Sequence, residues 1–341
     1  MMPQNTLSPL KTKNNKTSSF FIGKVKIARP ALLAPMEHVT NSIFRRIVKP
    51  FGASLVFTEF CSSDGLIYGK EKIWEMVRFH ESERPITIQI FGSSPKIMSE
   101  CAKKMEDLGA DILDINCGCS VPRMEKCRAG AYLAKDLSLL KEVMESVRKA
   151  VKIPVTIKIR KGWDEDRLTC FEIAKTAESI GFDAVTVHGR TSVQGYKEKA
   201  DWDTIDKVAR SVKIPVIGSG DITNAEIAFE KLNKTSVSGV MIGRGVMGNP
   251  WVFSEITKYL ETGINPPPPS LQEKMEIMLK HFQMACEEHG EKEGISETRR
   301  HLIWYVKGLP NAASFRGKIA ALNNRKKIID EIKFFFQPLI N

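Results

Sequence analysis

The sequence predicts an α/β fold, a (β/α)8 TIM barrel followed by a small C-terminal helical bundle. Eight short, almost continuously apolar runs recur between helix-type segments from residue 31 to residue 242. A run of four prolines then interrupts this alternation at 266–269, and only helical spacing follows it. The chain has 341 residues, which is enough for one large domain and a smaller second one.

The eight apolar runs are the predicted strands. They lack the polar alternation of a sheet with one face in water, as expected for parallel strands covered on both faces. In chain order they span 31–36, 55–60, 86–91, 111–116, 155–160, 184–189, 216–219 and 239–242. Helix-type segments, among them 94–108, 137–151 and 170–180, fill the gaps. Eight such units are expected to close into a barrel.

The two ends of the chain differ from the barrel region. Residues 1–19 have no hydrophobic period and predict a flexible basic tail. The barrel domain is predicted at 20–261, and a proline-rich linker follows at 262–269. Ser270 and Glu273 match a capping box, and the helical spacing of Leu271, Met275 and Met278 predicts a small helical domain over 270–341, in which this apolar stripe is core.

Composition and charge narrow the class of protein. A chain with 42% hydrophobic and 27% charged residues is not a wholly disordered, fibrous or disulfide-built protein. Seven cysteines form an odd set, and the sequence shows neither an export signal nor a long apolar span, so we expect a cytoplasmic protein with no membrane partner. We also expect a monomer without a stable protein partner. The net charge of +11 favours nucleic acid as partner over a merely solvated basic surface.

Polar residues stand at the carboxyl ends of the predicted strands, where barrels of this kind hold their active sites. Amide, thiol, imidazole and cationic side chains are therefore expected around one mouth. In strand order the residues are Pro35, Met36, Glu37, Gln89, Asn116, Cys119, Lys158, Arg160, His188, Arg190, Ser219, Gly220, Asp221, Gly243 and Arg244.

The segment from Gly243 to Gly248 matches the G-x-G-x-x-G pattern of dinucleotide-binding folds. We reject a Rossmann site, because the match follows the eighth strand and the proline run stands where a ribose-binding acid would belong. Together with Gly220 and Asp221, these glycines predict an anion nest for a phosphate. Such a site often anchors FMN, with the Gln89 amide at the pyrimidine edge and the Lys158 cation near N1 and O2.

Three closely spaced cysteines, Cys117, Cys119 and Cys127, allow more than one interpretation. A metal site lacks a fourth ligand and the zinc-knuckle spacing, so we expect no metal. A redox pair is disfavoured because the spacing is not C-x-x-C. A single thiol at the end of the fourth strand suits proton donation, because a free thiol with a pKa of about 8.5 is mostly protonated at neutral pH.

The region 299–327 contains eight basic residues and no acidic residue. Basic side chains bind phosphates and aromatic rings stack on bases, which predicts an RNA-binding surface here. The alternative is that Trp304 or Tyr305 only packs the bundle. The predicted substrate contacts in this region are Arg299, Arg300, Lys307 and Arg316.

These ordered motifs resemble the bacterial tRNA-dihydrouridine synthases, with the B-type branch as the nearest match, and the resemblance runs over about 20–339. The motifs are Leu33-Ala34-Pro35-Met36, Gln89-Ile90-Phe91-Gly92, Asp114-Ile115-Asn116-x-Gly118-Cys119, Lys158-Ile159-Arg160, His188-Gly189-Arg190-Thr191, Gly220-Asp221-Ile222, Met241-Ile242-Gly243-Arg244-Gly245 and Trp304-Tyr305-x-Lys307-Gly308-Leu309-Pro310.

The resemblance implies that NADPH reduces a bound FMN, that a hydride from N5 reaches C6 of a uridine in tRNA, and that Cys119 protonates C5. It implies that Asn116 and Arg160 face the uracil, and we predict Arg190 as a further substrate contact. An extruded base explains why an RNA-binding domain accompanies the barrel. For the cofactor it implies a set of contacts to the isoalloxazine ring from Pro35, Met36, Glu37, Gln89, Lys158 and His188, and to the ribityl phosphate from Ser219, Gly220, Asp221, Gly243 and Arg244.

The chain departs from the family pattern at three places. Ser120 replaces the usual Pro after the donor thiol, and Cys117 supplies a second thiol, so Cys117 is the alternative donor. Ser219 replaces an Asn. Glu37 and His38 stand where many members have Ala and Gly, so the flavin is expected to contact main chain there.

Two other functions compete with uridine reduction in tRNA. The first is an FMN oxidoreductase that acts on a free pyrimidine or a small enone, for which the basic bundle would be incidental. The second is a non-catalytic RNA-binding relative, suggested by the changes at Ser120 and Ser219.

Overall fold

The computed structural model describes residues 19–69 and 71–340. The predicted basic tail therefore lies outside the described residues, apart from Ser19. None of the helices within the described ranges is long and apolar enough to cross a membrane.

A short antiparallel hairpin precedes the barrel. Its strands are β1 (Phe20–Ile22) and β2 (Val25–Ile27), and Gly23 takes the positive φ of 54° that the turn between them requires. Ile22 and Ile27 pack against Leu32 and the amino-terminal layer of the barrel interior. The hairpin thus covers the end of the barrel opposite the predicted site. The sequence prediction began its strands at residue 31 and missed it.

Eight parallel strands form the barrel, as predicted. The sheet order is β3-β11-β10-β9-β8-β7-β6-β4, and a parallel bridge from Leu32 to Leu55 joins the two ends. The amide of Leu33 donates to the carbonyl of Leu55 at 2.9 Å across this seam. The strands are β3 (Ala31–Leu33), β4 (Val56–Phe57), β5 (Cys61–Ser62), which extends β4, β6 (Ile86–Phe91), β7 (Ile112–Cys117), β8 (Val155–Arg160), β9 (Ala184–His188), β10 (Val216–Ser219) and β11 (Gly239–Ile242).

The predicted strand at 55–60 is too long, because β4 covers only Val56–Phe57 and β5 begins at Cys61. Between them, the Thr58 hydroxyl donates to the main-chain carbonyl of Glu59 and accepts from the main-chain amide of Gln89 at 3.1 Å. The Glu59 carboxylate accepts from the amide of Val39 at 3.1 Å. The main-chain amide of Gln89 thus bonds to a side chain instead of to a main-chain carbonyl of the facing strand, and the ladder between β4 and β6 ends there.

Helices surround the barrel and extend beyond it. The predicted helix 170–180 is confirmed at both ends, and those at 94–108 and 137–151 are slightly shorter than predicted. The helices of the barrel region are α1 (Ser42–Val48), α2 (Ser63–Tyr68), α3 (Pro95–Asp107), α4 (Pro122–Lys126), α5 (Leu137–Ala150), α6 (Cys170–Ile180), α7 (Trp202–Ser211), α8 (Ala225–Lys234) and α9 (Val252–Thr262). Short 3-10 helices include Gly130–Lys135 and Arg244–Val246.

Strand alternation separates two interiors. Leu113, Ile115 and Cys117 of β7 belong to the core between the sheet and the helices. Their neighbours Asp114 and Asn116 point the other way, into the barrel, because successive side chains of a strand face opposite sides. The same alternation places Lys158 and Arg160 of β8 inside the barrel. Polar residues therefore fill the barrel interior toward the carboxyl ends of the strands, while apolar residues pack the outside of the sheet against the helices.

The predicted helical bundle follows the barrel, and the described residues form four helices there: α10 (Leu271–His289), α11 (Glu291–Tyr305), α12 (Ala312–Ala321) and α13 (Arg325–Ile340). Residues 263–270 form neither helix nor strand, at the place of the predicted linker, although the domain bounds themselves stay a prediction. The capping box of Ser270 and Glu273 is confirmed. Met278, Phe282 and Tyr305 lie in the core of this bundle.

The bundle packs closely on the barrel. A Cβ atom at Gly248, in the segment between β11 and α9, would lie 2.3 Å from the Trp304 carbonyl oxygen, so only glycine permits this approach. The Phe44 ring of α1 lies 4.8 Å from the His301 ring. These contacts bring the segment after α11 to the rim of the barrel mouth.

Candidate active site

A cavity of about 810 Å³ opens at the carboxyl ends of the barrel strands. It collects most of the site residues predicted from the sequence, including one from the C-terminal bundle. The predicted residues that line it are Pro35, Met36, Glu37, Asn116, Cys119, Lys158, Arg160, His188, Ser219, Gly220, Asp221, Gly243, Arg244 and Lys307. Gln89, Arg190, Arg299, Arg300 and Arg316 do not line it.

Strand register explains why residues far apart in sequence meet here. Asn116 pairs with Lys158 across β7 and β8, and Arg160 pairs with His188 across β8 and β9. His188 in turn pairs with Ser219 of β10. Since all strands run in the same direction, these polar side chains form one continuous band around the mouth.

The structure separates the two candidate thiols. Cys117 is the last residue of β7, is 1% exposed and packs in the helix-facing core. Cys119 is partly exposed and lines the cavity. Cys127 is exposed and does not line the cavity. Among the described residues, no group of three or more His, Cys, Asp or Glu side chains could hold a metal ion.

The main chain holds Cys119 on both sides. Its amide donates to Asn116 Oδ1 at 3.0 Å, and its carbonyl accepts from the amide of Ala131 at 2.9 Å. Gly130 has a φ of 59°, and a Cβ atom there would lie 2.5 Å from the Cys119 carbonyl oxygen. Burial raises the pKa of the Cys119 thiol above its ordinary value, while the nearby Arg123 and Arg160 act in the opposite direction. The group is therefore a protonated thiol at neutral pH.

Lys158 and His188 present unsatisfied polar groups to the cavity. The Lys158 ammonium makes no hydrogen bond or ion pair with the described residues, and burial lowers its pKa to about 8. Nε2 of His188 is buried without a partner in the described part of the chain. Burial and the surrounding cations keep the pKa of His188 well below its ordinary value. A cation and a neutral imidazole are thus available for a bound molecule.

Asp221 organises the arginines beside the cavity. Its carboxylate accepts two hydrogen bonds from Arg190 at 2.7 Å and lies 3.4 Å from Arg244. Arg190 is only 3% exposed, so the structure places this predicted substrate contact behind Asp221. Arg244 begins the 3-10 helix after Gly243, whose first amides have no intrahelical acceptor. These amides and the Arg244 guanidinium can receive an anion.

Glu37 lines another part of the cavity, and an ion pair holds its side chain. Its carboxylate forms an ion pair with Arg123 at 2.7 Å. The Arg123 guanidinium lies over the Phe60 ring, 5.4 Å from its centre. The carboxylate that the sequence places near the predicted flavin is therefore neutralised by a cation of the chain.

The basic residues of the bundle have different environments. Lys307 is exposed and reaches the cavity rim. Arg300 and Arg316 are exposed elsewhere on the bundle. Arg299 donates to the carbonyls of Ile319, Ala320 and Leu322, so it holds the end of α12. Its predicted part in substrate binding has no geometric support here.

Sequence reasoning missed Tyr196. This residue lines the cavity, is 60% exposed, and its ring lies 4.4 Å from the Arg244 guanidinium carbon. It follows Gly195 in the segment between β9 and α7, where no periodicity marks it. An aromatic residue in the segment that follows a mouth-lining strand was the available signal.

Known proteins share the fold. Histamine dehydrogenase from Rhizobium sp. 4-9 superposes with a TM-score of 0.58 at 13% identity, covering 80% of this chain and 51% of that one. Morphinone reductase superposes with a TM-score of 0.51 at 13% identity, covering 74% of this chain and 93% of that one. At such identity the likeness concerns the fold alone. The fold and the site together define a TIM-barrel protein with a polar cavity at the carboxyl ends of its strands.

Sequence comparison narrows this class to a family. The family described as dihydrouridine synthase matches residues 32–338. The probable tRNA-dihydrouridine synthase of Rickettsia bellii is 41% identical over 321 residues, 94% of this chain and 98% of that protein. The tRNA-dihydrouridine synthase B of Pasteurella multocida is 36% identical over 319 residues, 94% of this chain and 96% of that protein. The chain belongs to the dihydrouridine synthase family.

Proposed function

We propose that this protein reduces a uridine of tRNA to 5,6-dihydrouridine, with bound FMN, NADPH as reductant and Cys119 as proton donor. The observation that carries the proposal is that one cavity is lined by the Cys119 thiol, by Lys158 and His188, and by Lys307 from the bundle. Its relatives named as tRNA-dihydrouridine synthases support the choice of substrate.

The cavity suits FMN. The free ammonium of Lys158 would lie at the ring edge that becomes negative on reduction, and the unpartnered His188 Nε2 would satisfy a ring or ribityl oxygen. The amides after Gly243, with Arg244, would hold the phosphate. A flavin held there would supply hydride chemistry, with C6 of the uracil as the proposed acceptor.

Cys119 completes the reduction at C5. Because burial keeps its pKa raised, the thiol carries a proton at neutral pH and can give it to the carbon. The thiolate left behind would lie near Arg123 and Arg160, whose charges favour that form. It would regain its proton from water between turnovers.

The substrate must reach this cavity as an extruded base. Flipping a nucleotide out of folded RNA costs a few kcal/mol, which phosphate contacts outside the cavity can offset. Lys307 at the rim and the exposed Arg300 and Arg316 are the proposed contacts. A tRNA substrate fits a cytoplasmic location, and we retain the expectation of a monomer without a stable protein partner.

Purified protein and tRNA from a strain that lacks dihydrouridine test the proposal. We expect yellow protein that oxidises NADPH and forms dihydrouridine, detected by nucleoside mass spectrometry. Cys119→Ala should retain the flavin and form at least about 100-fold less product. Cys117→Ala is the matched control and should keep most of the activity, since that thiol packs outside the barrel.

Three results would count against the proposal. Protein that never takes up flavin contradicts the cofactor. Reduction of free uracil without RNA indicates the small-molecule oxidoreductase instead. Binding of tRNA without any product, even with pre-reduced FMN, indicates a non-catalytic relative.

A further inference from the structure

A chain of hydrogen bonds runs through the barrel interior beneath the cavity. The Asp114 carboxylate accepts from the Thr156 hydroxyl at 2.5 Å and from Gln89 Nε2 at 2.6 Å. Gln89 Oε1 accepts from Asn116 Nδ2 at 2.8 Å. Asn116 Oδ1 then accepts from the amide of Cys119 at 3.0 Å and from that of Gly118 at 3.1 Å.

Strand register makes this chain of bonds possible. Gln89, Asp114 and Thr156 occupy the same level of the barrel, because each is the register partner of the next across β6, β7 and β8. Asn116 stands one inward position higher on β7. The bonds therefore rise from a fully buried level to the segment at the mouth that carries Cys119.

The chain of bonds has a direction that Asp114 sets. Burial raises the pKa of Asp114 to about 6, so the group is an anion at neutral pH and accepts on both oxygens. Gln89 must then turn its NH2 group toward Asp114 and its oxygen toward Asn116. Asn116 in turn must present its NH2 group to Gln89 and its oxygen to the two amides.

We propose that Asp114 is a positioning residue, which acts through Gln89 and Asn116 to hold the main chain of Cys119 so that the thiol faces the cavity. The proposal rests on the proposed function only in naming Cys119 the proton donor. Gln89 is buried, and both the nitrogen and the oxygen of its side-chain amide are hydrogen-bonded within the chain. This explains why Gln89 does not line the cavity.

Two substitutions of Asp114 by residues of similar size, Asn and Leu, distinguish a positioning role of this residue from a merely structural one. Asp114→Asn keeps an oxygen for Gln89, because the Thr156 hydroxyl can accept from the new NH2 group instead of donating. Asp114→Leu removes the acceptor and leaves both amides free to turn. If the charge of Asp114 were the active feature, the two variants would behave alike.

The reactivity of Cys119 is the readout. The full-length protein without FMN or RNA is treated with iodoacetamide, and peptide mass spectrometry follows Cys119 against the exposed Cys127 as internal reference. In Asp114→Leu we expect Cys119 to react at least about fivefold faster relative to Cys127, because the released thiol loses the burial that raises its pKa and is more open to the reagent. In Asp114→Asn the ratio should stay within about twofold of the unsubstituted protein.

Thr87→Val is the matched control, because its hydroxyl is buried on the neighbouring strand and has no partner among the described residues. Its labelling ratio should equal that of the unsubstituted protein. If Asp114→Leu does not fold, Asp114→Asn combined with Thr156→Val removes the acceptor for the new NH2 group and should reproduce the faster labelling.

Activity provides the second measurement. Dihydrouridine formation should fall further in Asp114→Leu than in Asp114→Asn, because both variants remove the same charge beside Lys158 and only the first removes the acceptor for Gln89. An unaltered labelling ratio in Asp114→Leu, or equal ratios in the Leu and Asn variants, would overturn the proposal. Because labelling needs neither cofactor nor RNA, it decides the role of Asp114 even if the chain forms no dihydrouridine.

Discussion

Cys117 and Cys119 are two residues apart, yet they lie in different environments. Strand alternation alone would put both side chains on the helix-facing side. β7 ends at Cys117, and the chain then turns at Gly118, so Cys119 leaves the strand pattern and enters the cavity. A single strand end thus separates a core residue from a candidate proton donor.

Lys158 illustrates the cost of holding an unpaired charge ready for a ligand. Its pKa of about 8 in the folded chain is below the ordinary 10.5, so the unfolded chain binds this proton up to higher pH. The free energy of unfolding should therefore rise as the pH increases from about 8 to about 10.5. At pH 7 Lys158 is charged in both states, so burial of its charge lowers the free energy of unfolding.

We predict that Lys158→Met raises the free energy of unfolding of the ligand-free protein at pH 7 by about 1–3 kcal/mol. The gain should shrink above pH 10, and flavin binding should weaken. Urea unfolding at several pH values measures the first effect. Lys149→Met, on the exposed side of α5, is the control, and equal stability of the Lys158 variant and the unsubstituted protein at pH 7 would contradict the prediction.

At the scale of elements, the β1–β2 hairpin closes the barrel at the end away from the cavity. Ile27 is fully buried against the lower barrel interior, whereas Phe21 of the same hairpin is 55% exposed. The hairpin is therefore a stabilising element with no part in the chemistry.

We predict that Ile27→Ala lowers the free energy of unfolding by about 2–5 kcal/mol, the usual cost of a cavity at a buried aliphatic side chain. Phe21→Ala should change it by less than about 1 kcal/mol. Chemical denaturation measures both. Flavin content of the folded Ile27 variant should be normal, and a selective loss of flavin would show that the hairpin influences the site.

Helix ends decide which arginines of the bundle are free. The Arg299 side chain of α11 donates hydrogen bonds to the last carbonyls of α12, which is the favourable place for a cation at a helix C-terminus. Arg316, which lies on α12 itself, is exposed. Both residues belong to the same acid-free region of the sequence. Counting charges along the chain does not distinguish them.

At the scale of the whole molecule, the proposed tRNA substrate would be bound through its phosphates by a chain with a net charge of +11. We predict that the logarithm of the affinity for tRNA falls linearly with the logarithm of salt concentration, with a slope of about 0.7–0.9 per neutralised phosphate. Arg316→Ala should reduce the magnitude of this slope by the amount of one phosphate contact, about 0.7–0.9. Filter binding or fluorescence anisotropy over a salt series measures it.

Lys141→Ala on α5 is the charge-matched control and should leave the slope unchanged. Arg299→Ala should destabilise the bundle, since it strips the end of α12 of its donor. A slope near zero, or equal loss in the Lys141 and Arg316 variants, would show that the bundle is not the docking surface.

The sequence by itself determined the barrel, its eight strands, the break at the prolines and the residues at the strand ends. These features depend on periodicity and on neighbours along the chain, because a parallel strand covered on both faces must be apolar wherever it lies. The strand-end motifs were sufficient to predict Lys158, His188 and Arg244 at one mouth.

Only the tertiary structure decided which groups are free to act. It placed Gln89 behind Asn116, tied Arg190 to Asp221 and Arg299 to α12, and brought Tyr196 and Lys307 to the cavity. The physical reason is that a polar side chain satisfies its hydrogen bonds with whatever lies nearest in space. Those partners come from distant parts of the chain, and no local pattern records them.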